Sequence, residues 1–198
     1  MSTTPYEGEA GLALSRRYEM VSAPDLHGPV ADLLPAAPSR VLDVGAGSGR
    51  DAAWLAKMGH AVTAVEPSAT LRAEGARLHP CLGINWIADQ MPDLAAVRAL
   101  KTIYEVILLS AVWQHVAPAD RLNTFRTLTG LLDPGGLMLI SLRLGPPDEA
   151  RGMHPVSVGE IRLLADETGL AVLREAPLAD RLGRGEISWI TTGLRLRT

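Results

Sequence analysis

The stretch that most constrains the fold runs from Arg40 to Gly49 and reads RVLDVGAGSG. Val41, Leu42 and Val44 form the short apolar run of a strand that is buried on both faces. Three alternate glycines end this run, and apolar residues follow at helical spacing over 52–58. We therefore predict a strand, a glycine loop and a helix, in that order. Alternate glycines at a helix N-terminus let unpaired backbone N–H groups approach a ligand closely.

Two acidic residues accompany the glycine loop. Asp43 lies inside the apolar run, where a buried carboxylate needs loop amides or a ligand cation as its partner. Glu66 ends the next apolar run, which spans Ala61 to Val65. A carboxylate at the tip of the second strand of a βαβ unit can accept hydrogen bonds from a ribose diol. The pattern favours an adenosine-type ligand, and the alternative is a glycine turn that is merely tight.

The overall composition is typical of a globular domain. The chain has 198 residues, of which 47% are hydrophobic and 21% charged, and its net charge is −3. This charge gives no global basic surface for nucleic acid, and no apolar run reaches the roughly 18 residues of a membrane span. Cys81 is the single cysteine and belongs to no metal-binding spacing. We therefore expect a cytoplasmic protein without a metal site, a nucleic-acid partner or a membrane partner.

Helical and strand patterns alternate along the chain. Helical patterns cover residues 10–20, 26–34, 52–58, 68–78, 93–100, 118–132 and 157–169. Strand patterns cover residues 41–44, 61–65, 84–88, 104–109, 137–142, 170–173 and 187–196, with a turn at 133–136 before the fifth. This alternation predicts an α/β fold with a Rossmann-like, doubly wound sheet of seven strands and helices on both faces. The sheet should be mostly parallel with an antiparallel last strand, because no helix separates the last two strands.

We predict a single domain, 1–198, with three parts. Residues 1–38 would form a helical lid over the glycine loop, although the polar first nine residues should be frayed. Residues 39–142 would form the cofactor-binding core, and residues 143–198 the substrate-side loops, a helix and the C-terminal hairpin. A lid in this position would offer Tyr18 to the ligand, and the alternative is a packing helix that exposes Tyr18 on the surface.

Five segments resemble the class I S-adenosylmethionine-dependent methyltransferases: VLDVGAGSGR, AVTAVEPS, WIADQMPD, YEVILLSAVWQHV and LLDPGGLMLISL. The resemblance implies that a methyl group passes by in-line displacement from S-adenosyl-L-methionine to a small-molecule acceptor, which leaves S-adenosyl-L-homocysteine. It also implies that Glu66 holds the ribose and Asp89 faces the adenine. The full set of predicted cofactor-binding residues is Tyr18, Asp43, Gly45, Ala46, Gly47, Gly49, Arg50, Glu66, Pro67, Ser68, Ala88, Asp89, Gln90 and Ser110. Arg50 would reach either the carboxylate of the cofactor or an outer acid.

A general base is needed only where the acceptor arrives protonated. His115 follows the fourth strand and His154 the fifth, so each is either a candidate catalytic base or a structural histidine. The long connections 143–155 and 176–186 should cap the same face and carry arginines suited to an anionic acceptor. Trp113 and Trp189 would wall an apolar acceptor or belong to the core. The predicted substrate-binding residues are Trp113, Arg143, Arg151, Arg184 and Trp189.

Two other functions share the glycine loop and the acidic strand tip. A nicotinamide-dependent oxidoreductase would need a further catalytic region that the sequence does not contain. A non-catalytic, S-adenosylmethionine-binding regulatory or partner protein would keep the site and lack turnover. The sequence also lacks the Asp/Asn-Pro-Pro-aromatic and Pro-Cys motifs of enzymes that methylate DNA bases, which favours a small-molecule acceptor. The pattern leaves the accepting atom and the oligomeric state open.

Overall fold

The computed structural model describes residues 3–198 and contains one mixed seven-stranded sheet in the order β3-β2-β1-β4-β5-β7-β6. The strands are β1 (Arg40–Val44), β2 (Ala61–Val65), β3 (Asn85–Ile87), β4 (Tyr104–Leu109), β5 (Leu132–Leu144), β6 (Leu170–Ala179) and β7 (Ser188–Leu196). The α-helices are α1 (Gly8–Glu19), α2 (Ala23–His27), α3 (Arg50–Lys57), α4 (Ala69–Leu78), α5 (Ala95–Ala99), α6 (Arg121–Thr129) and α7 (Val158–Glu167). No helix in this part of the chain is both long enough and apolar enough to cross a membrane.

The sheet is parallel from β3 through β5, and β7 runs antiparallel between β5 and β6. The predicted fold class is therefore confirmed, including the antiparallel last strand. The strand order changes direction between β1 and β4, so the chain leaves the sheet toward opposite sides on either side of this boundary. In open α/β sheets, such a switch point creates a crevice at the carboxyl ends of the strands.

The two faces of the sheet bury separate apolar clusters. Leu42 faces a cluster that includes residues of α5, α6 and α7, whereas Val41 faces a cluster that includes residues of α3 and of the 3-10 helix Gly28–Leu33. Successive residues of a strand point to opposite faces, which explains why the continuous apolar run of β1 serves both clusters. Helices therefore cover both faces, as predicted.

Several element boundaries differ from the sequence prediction. Asp133–Gly136, predicted as a turn, lies within the first part of β5, where a register shift accommodates the extra residues. The strand β6 continues to Ala179 rather than ending at Leu173, because its pairing with β7 extends to the end of both strands. Pro24 lies in the first turn of α2 rather than breaking the chain before it, because proline is compatible with that position.

The N-terminal residues described by the structure are ordered against the core, so the prediction of a frayed start is wrong for residues 3–9. Thr4–Tyr6 forms a 3-10 turn. The carboxylate of Glu7 accepts hydrogen bonds from the backbone N–H groups of Ala69 and Thr70, each at 3.1 Å. An anionic side chain at the start of α4 satisfies N–H groups that the helix leaves unpaired. Residues 1 and 2 lie outside the described residues.

Candidate active site

A cavity of about 410 Å³ lies where the parallel strands of the sheet end. Its walls come from the loops after β1, β2 and β4, from helix α1, and from the segments that follow β5 and β6. The volume is that of a small-molecule site, and the wall is mostly apolar with a few polar groups. The cavity thus occupies the crevice that the strand order creates.

Most of the residues predicted to bind a ligand line this cavity. Those predicted to contact the cofactor are Tyr18, Gly45, Ala46, Gly47, Arg50, Glu66, Pro67, Asp89, Gln90 and Ser110. Those predicted to contact the acceptor or to act as bases are His115, Arg143, Arg151, His154, Arg184 and Trp189. The fold therefore brings together residues that are far apart in the sequence, such as Tyr18 and Trp189.

The glycine loop between β1 and α3 has positive φ angles, and at Gly45 it is packed too closely for a side chain. Gly45 has a φ of +73°, and a Cβ there would lie 2.5 Å from Cγ2 of Val112. Gly47 has a φ of +58°, and a Cβ there would lie 3.5 Å from the ring of Tyr18. Both backbone conformations are ones that glycine adopts without strain. The absence of side chains leaves the loop backbone forming the cavity wall.

Glu66 holds the glycine loop and the start of α4 together. Its Oε2 atom accepts a hydrogen bond from the backbone N–H of Gly47 at 2.8 Å, and its Oε1 atom accepts one from Ser68 at 2.8 Å. Burial raises the pKa of this carboxyl, and these two hydrogen bonds only partly offset the effect. Each carboxylate oxygen has a second lone pair, so Glu66 can still accept hydrogen bonds from a ligand in the cavity.

A buried charge network lies behind the glycine loop. The guanidinium of Arg50 donates from Nε and Nη2 to the two carboxylate oxygens of Asp51, each at 2.7 Å, and from Nη1 to the backbone oxygen of Tyr18 at 3.2 Å. His27 Nε2 lies 3.3 Å from Asp51 Oδ1. Arg50 was predicted to reach either the carboxylate of the cofactor or an outer acid. The structure shows Arg50 bound to an acid of the chain, Asp51. Arg50 also joins helix α1 to the start of α3.

The pKa values of the two aspartates near this network are shifted in opposite directions. Burial raises the pKa of the Asp43 carboxyl well above its usual value, and the neighbouring charge of Asp51 raises it further. Burial acts in the same direction on Asp51, but the charges of Arg50 and His27 outweigh it and hold the Asp51 pKa well below its usual value. Asp43 is only 1% exposed, and its Oδ2 atom has no hydrogen-bond partner among residues 3–198. An uncompensated carboxylate oxygen of this kind would be stabilised by a cation close by.

Five residues predicted to contact a ligand do not line the cavity. Asp43 is buried behind the loop backbone. Gly49 and Ser68 are the N-cap residues of α3 and α4, and Ala88 is exposed outside the cavity. Trp113 is fully buried in the core, where its ring packs edge-on against Phe125 at a centroid distance of 5.6 Å.

His115 and Tyr6 form a hydrogen-bonded pair at the cavity wall. The Tyr6 hydroxyl lies 3.1 Å from Nε2 of His115, and the two rings meet edge to face. Burial lowers the pKa of His115 to about 4, and the neighbouring charge of Arg151 contributes to the decrease. Burial likewise raises the pKa of Tyr6 to about 12. At neutral pH the imidazole is therefore uncharged and the phenol is protonated.

The backbone is strained where β4 enters the cavity. Ala111 adopts a φ of +57°, which costs energy for any residue with a Cβ, and its N–H donates to Oγ of Ser141 at 2.8 Å. Gln114 donates from Nε2 to the backbone oxygen of Ala111 at 2.6 Å, which fixes the same turn from the other side. Ser110, the residue before Ala111, lines the cavity wall.

Several cavity residues were missed by the sequence analysis. Tyr6 lies in a segment that reads as a polar N-terminus, so no local signal marks it. Gln114 adjoins His115 in the loop after β4 and could have been found from that position. Asp180 lies in the predicted substrate-side loop, where it accepts a hydrogen bond from Nε1 of Trp189 at 2.9 Å. Asp89 lines the cavity as predicted, and its carboxylate also accepts from the N–H groups of Gln90 and Val97.

Comparison with known proteins identifies the family. A family model described as a methyltransferase domain matches residues 17–180, which include the glycine loop, Glu66 and most of the cavity wall. The chain belongs to the methyltransferase domain family. This methyltransferase domain shares 34% identity over 99 residues with a ubiquinone biosynthesis O-methyltransferase of Methylocella silvestris, covering 50% of the chain and 38% of that protein. It shares 30% identity over 148 residues with protein-L-isoaspartate O-methyltransferase 1 of Rhodopseudomonas palustris, covering 72% and 59%. The methyltransferase domain thus spans about half the length of these two relatives.

Solved structures share the fold of this methyltransferase domain. Magnesium protoporphyrin IX methyltransferase from Synechocystis PCC 6803, solved with bound SAM, superposes with a TM-score of 0.68 at 16% identity, covering 94% of this chain and 81% of that one. The 1,6-didemethyltoxoflavin-N1-methyltransferase of Burkholderia thailandensis superposes with a TM-score of 0.66 at 19% identity, covering 97% and 92%. These similarities establish the class I methyltransferase fold for the chain.

Proposed function

We propose that this chain is an S-adenosylmethionine-dependent methyltransferase that acts on a small-molecule acceptor. The observation that carries the proposal is the pairing of the Gly45–Gly49 loop with the carboxylate of Glu66 at one wall of the cavity. Membership in the methyltransferase domain family supports it. The structural relatives solved with SAM or S-adenosylhomocysteine support the same donor, because they share the fold that creates this crevice.

The residues present fit such a donor. Gly45 and Gly47 offer a backbone surface without side chains, where a methionine moiety would lie. The unpartnered Oδ2 atom of Asp43 lies directly behind this surface and would stabilise positive charge on the donor. Glu66 would accept the ribose hydroxyls, and Met91 with Asp89 would receive the adenine. Each part of an adenosyl-methionine thus has a matching polar or apolar group.

When bound, the donor supplies a methyl group on a sulfonium that is already activated for displacement. The chain therefore has to position the acceptor and exclude water, and positioning alone can contribute several kcal/mol. Tyr6 and Tyr18 close the cavity from the lid side, and Arg151 fixes both of them. This closure keeps bulk water from the region between the glycine loop and the acceptor side.

His115 is the better candidate for a general base. The imidazole is uncharged at neutral pH, and Nε2 lies 3.1 Å from the Tyr6 hydroxyl; in the tautomer that carries its proton on Nδ1, Nε2 can accept a proton. An acceptor hydroxyl that displaces Tyr6 would meet the same nitrogen. His154 lines the cavity as well, and its backbone N–H donates to the backbone oxygen of Gln114. His154 stays a second candidate that the same experiment tests.

The relatives support a small-molecule acceptor and do not identify the molecule. Two structural neighbours are named for magnesium protoporphyrin IX and 1,6-didemethyltoxoflavin, both small molecules. The curated relatives are named as O-methyltransferases. A small-molecule acceptor suits a cavity of about 410 Å³. The nicotinamide alternative lacks support, because the matching family model and the structural neighbours are those of methyltransferases.

A labelled-methyl screen tests the proposed activity. Purified protein and donor labelled at the methyl group would be incubated with pools of metabolites, and transfer would be measured by extraction of the label. We expect transfer to one pool, and substitutions His115→Ala and His154→Ala would then separate the two candidate bases. Substitution of the residue that acts as the base should lower kcat with little change in the affinity for the donor. Binding of the donor without transfer to any pool would favour the non-catalytic alternative.

A further inference from the structure

Three arginines line the cavity near the ends of β5 and β6. Arg143 lies on β5, Arg151 ends the 3-10 turn Glu149–Arg151, and Arg184 lies between β6 and β7. We call these three residues the arginine cluster. Burial lowers the pKa of Arg143, and the charges of Arg184 and Arg151 lower it further, so the three guanidinium groups are close enough to repel one another. Like charges assembled in a largely apolar cavity favour an anion between them.

The three cations are not equally neutralised. Arg184 is fixed by Asp180, to which it donates through Nε and Nη2, and it lies over the ring of Trp189 at 6.0 Å from the centroid. Arg143 donates to the backbone oxygen of Pro146 at 2.6 Å and forms no salt bridge within the described part of the chain. Asp180 and Asp148 are the acids whose charges reach Arg143. These acidic groups offset part of the positive charge that the arginines bring to this wall.

Arg151 is held at the cavity wall by two tyrosines. Its Nη2 donates to the Tyr18 hydroxyl at 3.0 Å, and its guanidinium lies 5.2 Å from the centroid of the Tyr6 ring. Neither contact neutralises its charge, and Arg151 forms no salt bridge among residues 3–198. An anion in the cavity would therefore provide a charged partner for this guanidinium.

We propose that the arginine cluster binds the carboxylate of the methyl acceptor, and that the acceptor is a small acid with an apolar body. This inference rests on the proposed function, since it assigns the substrate class of the same cavity. The negative charges of Asp148 and Asp180 act on Arg143 and repel a phosphate dianion more than a monoanionic carboxylate. Leu178, Leu182 and Trp189 line the cavity beside the cluster and provide an apolar surface for the rest of the molecule. The planar guanidinium fork suits the two oxygens of a carboxylate.

Matched pairs of acids and amides test the charge requirement directly. The panel would be 4-hydroxybenzoate, 3-phenylpropanoate, indole-3-acetate and 2-naphthoate, each with its carboxamide, and phenyl phosphate as the dianionic probe. Binding to the full chain saturated with S-adenosylhomocysteine would be measured by calorimetry. We expect at least one acid to bind about tenfold or more tightly than its amide, with an affinity that decreases as salt is added. We also expect phenyl phosphate to bind more weakly than that acid.

Substitutions assign the effect to individual arginines. Arg143→Gln should weaken binding of the acid about tenfold and leave the amide and S-adenosylhomocysteine within about twofold. Arg151→Lys keeps the charge but loses the fork, so it should also weaken the acid. Arg98→Gln is the control, because Arg98 is exposed on α5 and does not line the cavity. Thermal unfolding of each variant would verify that it is folded.

Three results would overturn the assignment. They are equal affinity for acids and amides, equal loss of both in Arg143→Gln, and no binding of any acid at about 1 mM. Tighter binding of phenyl phosphate than of every acid would replace the carboxylate by a phosphate ester and would also contradict it. Failure of the proposed function is distinguishable, because S-adenosylhomocysteine binding is measured first and without any acid. The acid titrations would then be run on the protein alone.

Discussion

Nε2 of His115 lies 3.1 Å from the hydroxyl oxygen of Tyr6, although 109 residues separate them in the chain. This hydrogen bond joins the N-terminal segment to the loop after β4 at the cavity wall. Arg151 lies against the Tyr6 ring and donates to Tyr18, so the segment after β5 takes part in the same set of contacts. Polar contacts therefore join three separate parts of the chain at this wall.

Tyr6→Phe should lower the free energy of unfolding by about 0.5–1.5 kcal/mol, because it removes one partly buried hydrogen bond. Tyr104→Phe is the matched control. The Tyr104 hydroxyl is buried and has no hydrogen-bond partner among residues 3–198, so its removal should cost less than about 0.5 kcal/mol or stabilise the protein. Urea unfolding of both variants measures the difference. Equal losses would contradict the pairing of Tyr6 with His115.

The affinity for S-adenosylhomocysteine should decrease as the pH is lowered, and the decrease should begin at a higher pH than the usual pKa of a glutamate would give. Burial raises the pKa of Glu66, and only its ionised form accepts hydrogen bonds from both ribose hydroxyls. Protonation on lowering the pH therefore removes binding. Calorimetry across the acid range measures this, and Glu66→Gln should weaken binding by roughly 1.5–3 kcal/mol and remove this pH dependence. Glu167→Gln, an exposed substitution, should leave both unchanged.

Asp51→Asn should be strongly destabilising, by about 3–5 kcal/mol, because it leaves the guanidinium of Arg50 buried without its anion. Asp166→Asn removes an exposed partner of Arg197 and should cost at most about 1 kcal/mol. The pKa of Asp51 is held below its usual value, so its contribution to stability is present above that usual value. It is lost as the pH falls through the lowered pKa. Thermal unfolding against pH measures both effects, and a variant as stable as Asp166→Asn would refute the network.

His115 should remain neutral through the range in which exposed histidines titrate. Burial, helped by the charge of Arg151, lowers its pKa to about 4. NMR of protein labelled at the histidine rings, with Arg151→Gln as the companion variant, follows the titration. Removal of the Arg151 charge should move the His115 pKa upward. A midpoint near 6.5 in the unsubstituted protein would contradict the buried, uncharged imidazole.

The parts of the site that lie within a short stretch of sequence could be predicted. The β1 strand, the glycine loop and Glu66 carry local signals, since apolar runs and glycines report directly on strands and tight turns. The pairing of Tyr6 with His115 could not be predicted, because no local pattern encodes a contact between the N-terminus and the loop after β4. The position of Trp113 could not be predicted for a related reason. An aromatic residue after a strand packs equally well into a core or a cavity, and only the position of Phe125 decides it.

The boundaries that were missed have a similar origin. Asp133–Gly136 has the composition of a turn, and it lies within β5 because the residues on either side of it, Leu132 and Leu137, both pair with β4. Likewise, β6 extends to Ala179 because β7 pairs with it over its full length. Tertiary pairing outweighs local propensity in both places. At the other end of β5, Arg143 pairs with Trp189 of β7 and so lies on a strand, which fixes its backbone position more firmly than a loop would.

Calorimetric titration of the full chain with S-adenosylhomocysteine tests the central claim most directly, with NAD as the competing ligand. The proposed donor site predicts saturable binding of one molecule per chain at micromolar concentrations or below, and roughly 10- to 100-fold weaker binding by Glu66→Gln. It also predicts no comparable binding of NAD. Absence of S-adenosylhomocysteine binding, or tighter binding of NAD, would contradict the assignment of the glycine loop and Glu66 to a methyl donor.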